Sequence, residues 1–270
     1  MARSTGEPTW LEYSANGIAD SIDFYRRIFG WEFVDQGPEM NGYQMVIAAG
    51  NAQAGFMDTA GMTCPEGGEI DPSWDIYLAV DDLDARLEKV KAHGGRVVLE
   101  PTEVAARGRF AGILDPTGAY VGMWEEKGFD GYTFSAAPGT PVWFELMSMD
   151  FEASAEFYTA VFDFDFTLME SDEDDPQPDL RYATNAPEER ASAGICEAKS
   201  WFPAGTPSFW RAYFCVTDAD ATVAAIQEAG GKLLDGPTDS PFGRVATVED
   251  PKGVTFQVNQ PLGDSAPGGV

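Results

Sequence analysis

The chain has 270 residues, 45 acids against 17 bases for a formal net charge of −28, and a hydrophobic fraction of 44%. Such a surface repels nucleic acid and anionic lipid, so neither is an expected partner, while the apolar content is that of a globular protein. The length fits one large domain or two ordinary ones. No apolar run nears the roughly 18 residues of a membrane helix, and the opening MARSTGEPTW lacks a signal-peptide core.

In chain order, WLEYSA alternates like a half-buried strand. ADSIDFYRRIFG follows, with Ile22, Tyr25 and Phe29 on one helical face and a glycine at its end. WEFVDQ, YQMVIAA and AQAGFMD read as short strands, and WDIYLAV as a longer one. DLDARLEKVKAHGG is a helix with Asp82 as its N-cap; its last turn carries His93, where an imidazole suits the helix dipole and two glycines stop the helix. RVVLE, GRFAGILD and AYVGMWE complete the first half as strands. His93 is the only histidine, which excludes a centre built on several. Cys64, Cys196 and Cys215 form neither a zinc spacing nor a disulfide framework, so a reducing cytoplasm is expected.

The second half repeats the first. PTWLEYS returns as PVWFELMS, IADSIDFYRRIFGWEF as FEASAEFYTAVFDFDF, YLAVDDLDARLEKVKAHGG as YFCVTDADATVAAIQEAGG, and GRFAGILDPTGAYVGMWE as GRVATVEDPKGVTFQVNQ. Ser21, Phe24, Tyr25 and Phe29 match Ser154, Phe157, Tyr158 and Phe162 at a spacing of 133 residues. A repeat of this length predicts two homologous domains, residues 1–128 and 140–262. Residues 129–139 then form a Gly/Pro/Ser-containing linker, and 263–270 a disordered tail. Each domain holds two strand–helix–three-strand units, an α+β arrangement.

This βαβββ pattern, with FYRRIFGWEF, VDDLDA and DPTG, resembles the vicinal oxygen chelate superfamily of glyoxalase I, bleomycin-resistance proteins and extradiol dioxygenases. The PxWxE…S…FY…FGW wording is most similar to a two-domain actinobacterial branch labelled hydroxylase or glyoxalase-like antigen. The resemblance implies tandem glyoxalase-like domains, each a cupped eight-stranded sheet around a small-molecule pocket. Fold alone does not choose among isomerases, lyases, dioxygenases and pure binders. The resemblance places the superfamily's metal-ligand positions on Trp10, Asp75 and Gly122 in the first half and on Trp143, Arg211 and Gln257 in the second. Tryptophan, arginine and glycine side chains do not ligate a divalent cation, so no metal and no other cofactor are expected.

Strand alternation sorts the faces. With Trp10 facing the cup, Glu12 and Ser14 do so too, and Leu11 and Tyr13 turn away. Asp75, Tyr77, Tyr120 and Trp124 join the first cup. Trp143, Glu145, Met147, Arg211, Tyr213, Gln257 and Asn259 form the second. Four readings fit Glu12 and Asp75: solvated or backbone-bonded acids, a general acid/base pair, an anchor for a ligand amine or hydroxyl, and an oxygen site for a hard cation. Glu145 and Arg211 read as an ion pair or, through the arginine, as a clamp for a carboxylate or phosphate. Arg109 and Arg244 fit either ligand contacts or rim salt bridges. The acid run from Glu170 to Asp179 reads as a solvated loop.

The expected function is binding of a small aromatic or carbonyl-containing metabolite in metal-free cups. The alternatives are a metal-independent lyase, isomerase or cyclase using Glu12 and Asp75, and a metal-dependent glyoxalase or dioxygenase. The expected partner is a small molecule, with the chain a two-domain monomer or a homodimer.

Overall fold

The computed structural model describes residues 3–64, 67–169 and 181–262. The acid run from Glu170 to Asp179 and the tail 263–270 lie outside the described residues. The first half runs β1 (Pro8–Ala15), α1 (Ala19–Phe29), β2 (Glu32–Asp35), β3 (Gln44–Ala48), β4 (Asn51–Asp58), β5 (Ser73–Val80), α2 (Leu83–Ala92), β6 (Arg96–Val104), β7 (Gly108–Leu114) and β8 (Tyr120–Glu126). The second repeats it as β9 (Pro141–Ser148), α3 (Phe151–Phe162), β10 (Thr167–Leu168), β11 (Tyr182–Thr184), β12 (Gly194–Glu197), β13 (Phe209–Cys215), α4 (Ala219–Glu228), β14 (Lys232–Ser240), β15 (Gly243–Glu249) and β16 (Thr255–Gln260).

Each half forms an eight-stranded sheet, in the orders β2-β3-β4-β1-β5-β8-β7-β6 and β10-β11-β12-β9-β13-β16-β15-β14. The two first strands, β1 and β5, lie side by side and antiparallel at the sheet centre, and each pairs in parallel with a strand of its own unit. This α+β architecture of two matching glyoxalase-like domains is the one the repeat predicts.

Local chemistry sets the helix ends. Asp82 accepts from the Ala85 amide at the start of α2, and Asp150 and Asp218 do the same for α3 and α4. Each satisfies a backbone donor that the first turn leaves free. His93 is the C-cap of α2, followed by Gly94 at φ 81°. One strand exceeds its expectation: β6 continues past Glu100 through Pro101 to Val104. It is a sheet edge with register shifts around that proline, so the missing N–H removes no ladder bond.

The convex faces of both sheets share one core. Tyr25, Phe29, Trp31 and Trp74 of the first half pack on Phe214 and Phe256 of the second, with ring centroids 5.3–6.0 Å apart. The repeated DPxG aspartates cross this interface. Asp250 accepts from Tyr13 at 2.7 Å and from Tyr25 at 3.3 Å. Asp115 stands beside Tyr158 of the other half in return, where burial and then its charge push the Tyr158 hydroxyl up, and its Oδ1 accepts from the Thr117 and Ala119 amides. Arg86, almost fully buried, pairs with Asp81 of its own half and Asp163 of the other. Residues 129–139 are packed rather than loose: the Tyr132 amide bonds the Thr9 carbonyl at 2.9 Å, and Trp31 donates to the Gly139 carbonyl at 2.7 Å. With every helix on the convex side, each sheet is left with one helix-free concave face.

Candidate functional site: two unequal cups

In the first cup β1 and β5 set Trp10 opposite Tyr77, Glu12 opposite Asp75 and Ser14 opposite Ser73. Directly opposed residues have Cβ atoms about 5 Å apart, so the two carboxyls are neighbours. Both are half-buried. Glu12 accepts from the Tyr77 hydroxyl at 3.3 Å, and Tyr43 stands beside it, its oxygen accepting from Trp10 Nε1 at 2.9 Å. Tyr120 lies beside Tyr77, and Ser73 beside Asp75. Burial, then repulsion from Asp75, pushes the Glu12 carboxyl up to about 7. Burial pushes Asp75 up to about 6. No cationic side chain acts on either acid. Near neutral pH the pair therefore holds roughly one proton between two carboxyls.

Glycines make room for this arrangement. A Cβ on Gly55 would lie 1.7 Å from the Tyr43 hydroxyl, one on Gly122 would lie 2.2 Å from the Tyr77 ring, and one on Gly112 would lie 2.5 Å from the Tyr120 hydroxyl. Each ring lies across the sheet over a neighbouring strand's glycine. Phe110 meets the Tyr77 ring at 6.1 Å, and Trp10 and Trp124 both pack edge-on against Phe129.

The second cup has the same scaffold and a different charge. Trp143 Nε1 donates to Tyr182 at 2.8 Å, and Tyr182 stands beside Glu145 as Tyr43 stands beside Glu12. Tyr182 lies over Gly194 as Tyr43 lies over Gly55. Opposite Glu145, however, stands Arg211. Its Nε donates to Glu145 Oε2 at 2.7 Å, its Nη2 reaches the same oxygen, and Tyr213 adds a third bond at 2.7 Å. Glu145 is 5% exposed. Burial lowers the Arg211 pKa, but the Glu145 carboxylate more than restores it. Gln257 is fully buried beside Thr247, which its amide reaches at 3.3 Å. Asn259 reaches only the Phe242 carbonyl, at 3.4 Å. Met147 is buried against Cys196 and Ala198.

Arg109 and Arg244 are not in the cups. On β7 Phe110 takes the concave face, so Arg109 points to the convex side, where it pairs with Asp84 of α2 at 3.0 Å, Glu125 at 3.1 Å and Glu103 at 3.3 Å. Arg244 likewise pairs with Asp220 of α4 at 2.7 Å and Asp239 at 2.9 Å. Both arginines are thus spent on salt bridges with acids of neighbouring helices and strands. Sequence reasoning passed over Tyr43 and Tyr182, which stand beside the two glutamates. The available signal was Gly55 and Gly194, lone glycines inside strands, where another group approaches closely.

The superfamily's metal positions do not fit a transition metal in either half. In the first they offer only Asp75, since Trp10 is committed to Tyr43 and the Tyr77 ring fills the notch over Gly122. In the second they offer a tryptophan, an ion-paired arginine and a buried glutamine. Among the described residues there is no cluster of three or more His, Cys, Asp or Glu placed to hold a metal ion, nor any helix long and apolar enough to cross a membrane.

A repeated βαβββ unit folded into two matching eight-stranded sheets defines a glyoxalase-type protein, and the sequence agrees. The profile of the "Glyoxalase/Bleomycin resistance protein/Dioxygenase superfamily" matches residues 9–123 and 140–258. The chain belongs to that superfamily. It is 34% identical over 260 residues to "Putative glyoxylase CFP32" of Mycobacterium tuberculosis, covering 95% of each chain. It is 29% identical over 277 residues to "Anthracycline biosynthesis protein DnrV" of Streptomyces peucetius, covering 94% of this chain and 92% of that one. Among solved structures, the Mn(II)-bound glyoxalase from Novosphingobium aromaticivorans matches with a TM-score of 0.62 at 16% identity, over 95% of this chain and 82% of that one. At that identity the likeness speaks for the fold.

Proposed function

We propose that this superfamily member binds a small planar, carbonyl-bearing aromatic metabolite in its first cup without a metal. One observation carries the reading: Glu12 and Asp75 face each other, half-buried and without a cationic partner, inside a ring of aromatic side chains. Flat faces from Trp10, Tyr77, Phe110 and Tyr120 suit a planar ligand, and a few convergent polar groups fix its orientation. Relatedness to a protein named for anthracycline biosynthesis, the chemistry of polycyclic aromatic ketones, supports the same class. The donor set disfavours a metal-dependent glyoxalase or dioxygenase.

The raised pKa values of the facing carboxyls favour a second reading, proton transfer. With Glu12 at about 7 and Asp75 at about 6, one carboxylate is free to take a proton from a carbon beside a carbonyl. The other, protonated, hydrogen-bonds the carbonyl oxygen as the enol forms. That is the opening step of a metal-independent isomerase, lyase or cyclase.

Two measurements separate these readings. Elemental analysis of the purified protein should find no stoichiometric iron, manganese, zinc or nickel; near one per chain, bound in the cups, would overturn the metal-free proposal. In Glu12→Gln, a binding role loses about 1–3 kcal/mol of affinity. A proton-transfer role loses roughly 10²–10⁴-fold in turnover. A variant that binds and turns over normally but melts several degrees lower would make Glu12 a structural residue and sink both.

A further inference from the structure

We infer that the first cup selects a cationic, amine- or amidine-bearing aromatic molecule, whose positive group sits against Glu12 and Asp75 as the guanidinium of Arg211 sits against Glu145 in the second. The inference rests on the proposed binding role of the first cup and adds the charge class of its ligand.

The repeat supplies the argument. Trp10, Tyr43, Glu12 and Tyr77 have their counterparts in Trp143, Tyr182, Glu145 and Tyr213, with the same hydrogen bonds among them. The second cup carries a cation on this scaffold. Arg211 shares one carboxylate oxygen with the Tyr213 hydroxyl, and its guanidinium carbon lies 5.4 Å from the centre of the Tyr213 ring. An aromatic face and a carboxylate together make a cation site. Asp75 takes the Arg211 position in the first half. The internal cation is thereby removed and a second carboxylate put in its place. In the second cup a side chain of the same sheet supplies the cation, and in the first a carboxylate stands at that place.

One further group points to a ligand there. Ser14, 2% exposed, shares the concave face of β1 with Glu12, and its Oγ has no hydrogen-bond partner. Buried polar atoms are normally satisfied. The carboxylates become acceptors as they ionise, so the cup as a whole calls for a donor-rich ligand. An anionic ligand would face both acids with nothing to offset the repulsion.

The test uses three probes with one ring system: 2-naphthamidine, 2-naphthamide and 2-naphthoate, cationic, neutral and anionic. Isothermal titration into the full chain at pH 8 and low salt should give one site per chain. The amidine should bind at least tenfold more tightly than the amide, and the naphthoate most weakly. Amidine affinity should fall as pH drops from 8 to 5, because Glu12 and Asp75 take up protons. The titratable groups facing the pair are Tyr43, Tyr77 and Tyr120, whose hydroxyls burial pushes up so that they stay neutral across that range, and the Arg107 guanidinium lies beyond Tyr43. Asp75→Asn and Glu12→Gln should each remove most of the preference. Asp75→Arg, which copies the second half, should abolish it. Should Asp75→Arg fail to fold, the two isosteric variants decide. Equal or tighter amide binding that Glu12→Gln weakens would overturn the charge inference and leave the cup as a binding site. An amidine preference untouched by both isosteric variants would place the cation elsewhere on the acidic surface and also overturn it. If Glu12→Gln weakens none of the three probes, the inference and the binding role fall together.

Discussion

In the first half the residue opposite the cup glutamate is Asp75; in the second it is Arg211. Around them the tryptophan, the two tyrosines and their hydrogen bonds are nearly superimposable, so this one position decides the electrostatics. In the second cup the glutamate's charge is matched, with Arg211 Nε, Arg211 Nη2 and the Tyr213 hydroxyl all on Glu145 Oε2. The first holds two acids whose protonation changes near neutrality. A duplicated scaffold has kept its framework in both copies and set an internal cation against the cup glutamate in only one.

The largest expected effect separates the cups by stability. Glu145→Ala strands Arg211 without a counter-charge and should cost about 3–5 kcal/mol in chemical denaturation. Glu12→Ala removes a destabilised acid and should cost far less. Equal losses would mean that the two glutamates play one structural role.

Gly122→Ala comes next. The new methyl would lie 2.2 Å from the Tyr77 ring and must displace it from Glu12. A loss of about 1–3 kcal/mol is expected, together with weaker probe binding. An unchanged melting temperature and affinity would contradict the notch that fills the superfamily's metal position.

The smallest effect lies in the pH dependence. Burial raises the Glu12 and Asp75 carboxyls to about 7 and about 6, above the ordinary carboxyl range, so the folded state holds their protons more tightly. Stability from this source is fully present below about pH 4 and is lost as pH rises through 6 and 7. Asp81, held at about 2 by its hydrogen bonds to Arg86, stays ionised between pH 5 and 8 and does not interfere. Across that window wild type should lose about 1–3 kcal/mol relative to Glu12→Gln. Parallel stability profiles for the two proteins would show that the pair is not under charge strain.

Much of this was legible in the sequence. The repeat gave two domains, alternation in WLEYSA put Trp10 and Glu12 on the face away from the helices, and Asp82 marked the start of α2. Alternation works there because β1 and β5 are central strands with aliphatic residues on one side only. It failed for Arg109 and Arg244, where the deciding partners, Asp84 and Asp220, arrive from helices on the far side of the sheet. Tyr43 lies just before β3 and reaches Glu12 by crossing over Gly55, a path no periodicity encodes. The exchange of Asp115 and Asp250 between the halves was hidden because DPxG reads as a turn, and the buried tyrosines beside its aspartates belong to the opposite repeat.

Native mass spectrometry of the chain purified from its own host tests the asymmetry most directly, with wild type, Glu12→Gln and Glu145→Gln measured side by side. One retained small molecule per chain is expected in wild type, none in Glu12→Gln, and one still in the folded fraction of Glu145→Gln. Two molecules per chain, or equal retention after Glu12→Gln, would contradict a single open cup.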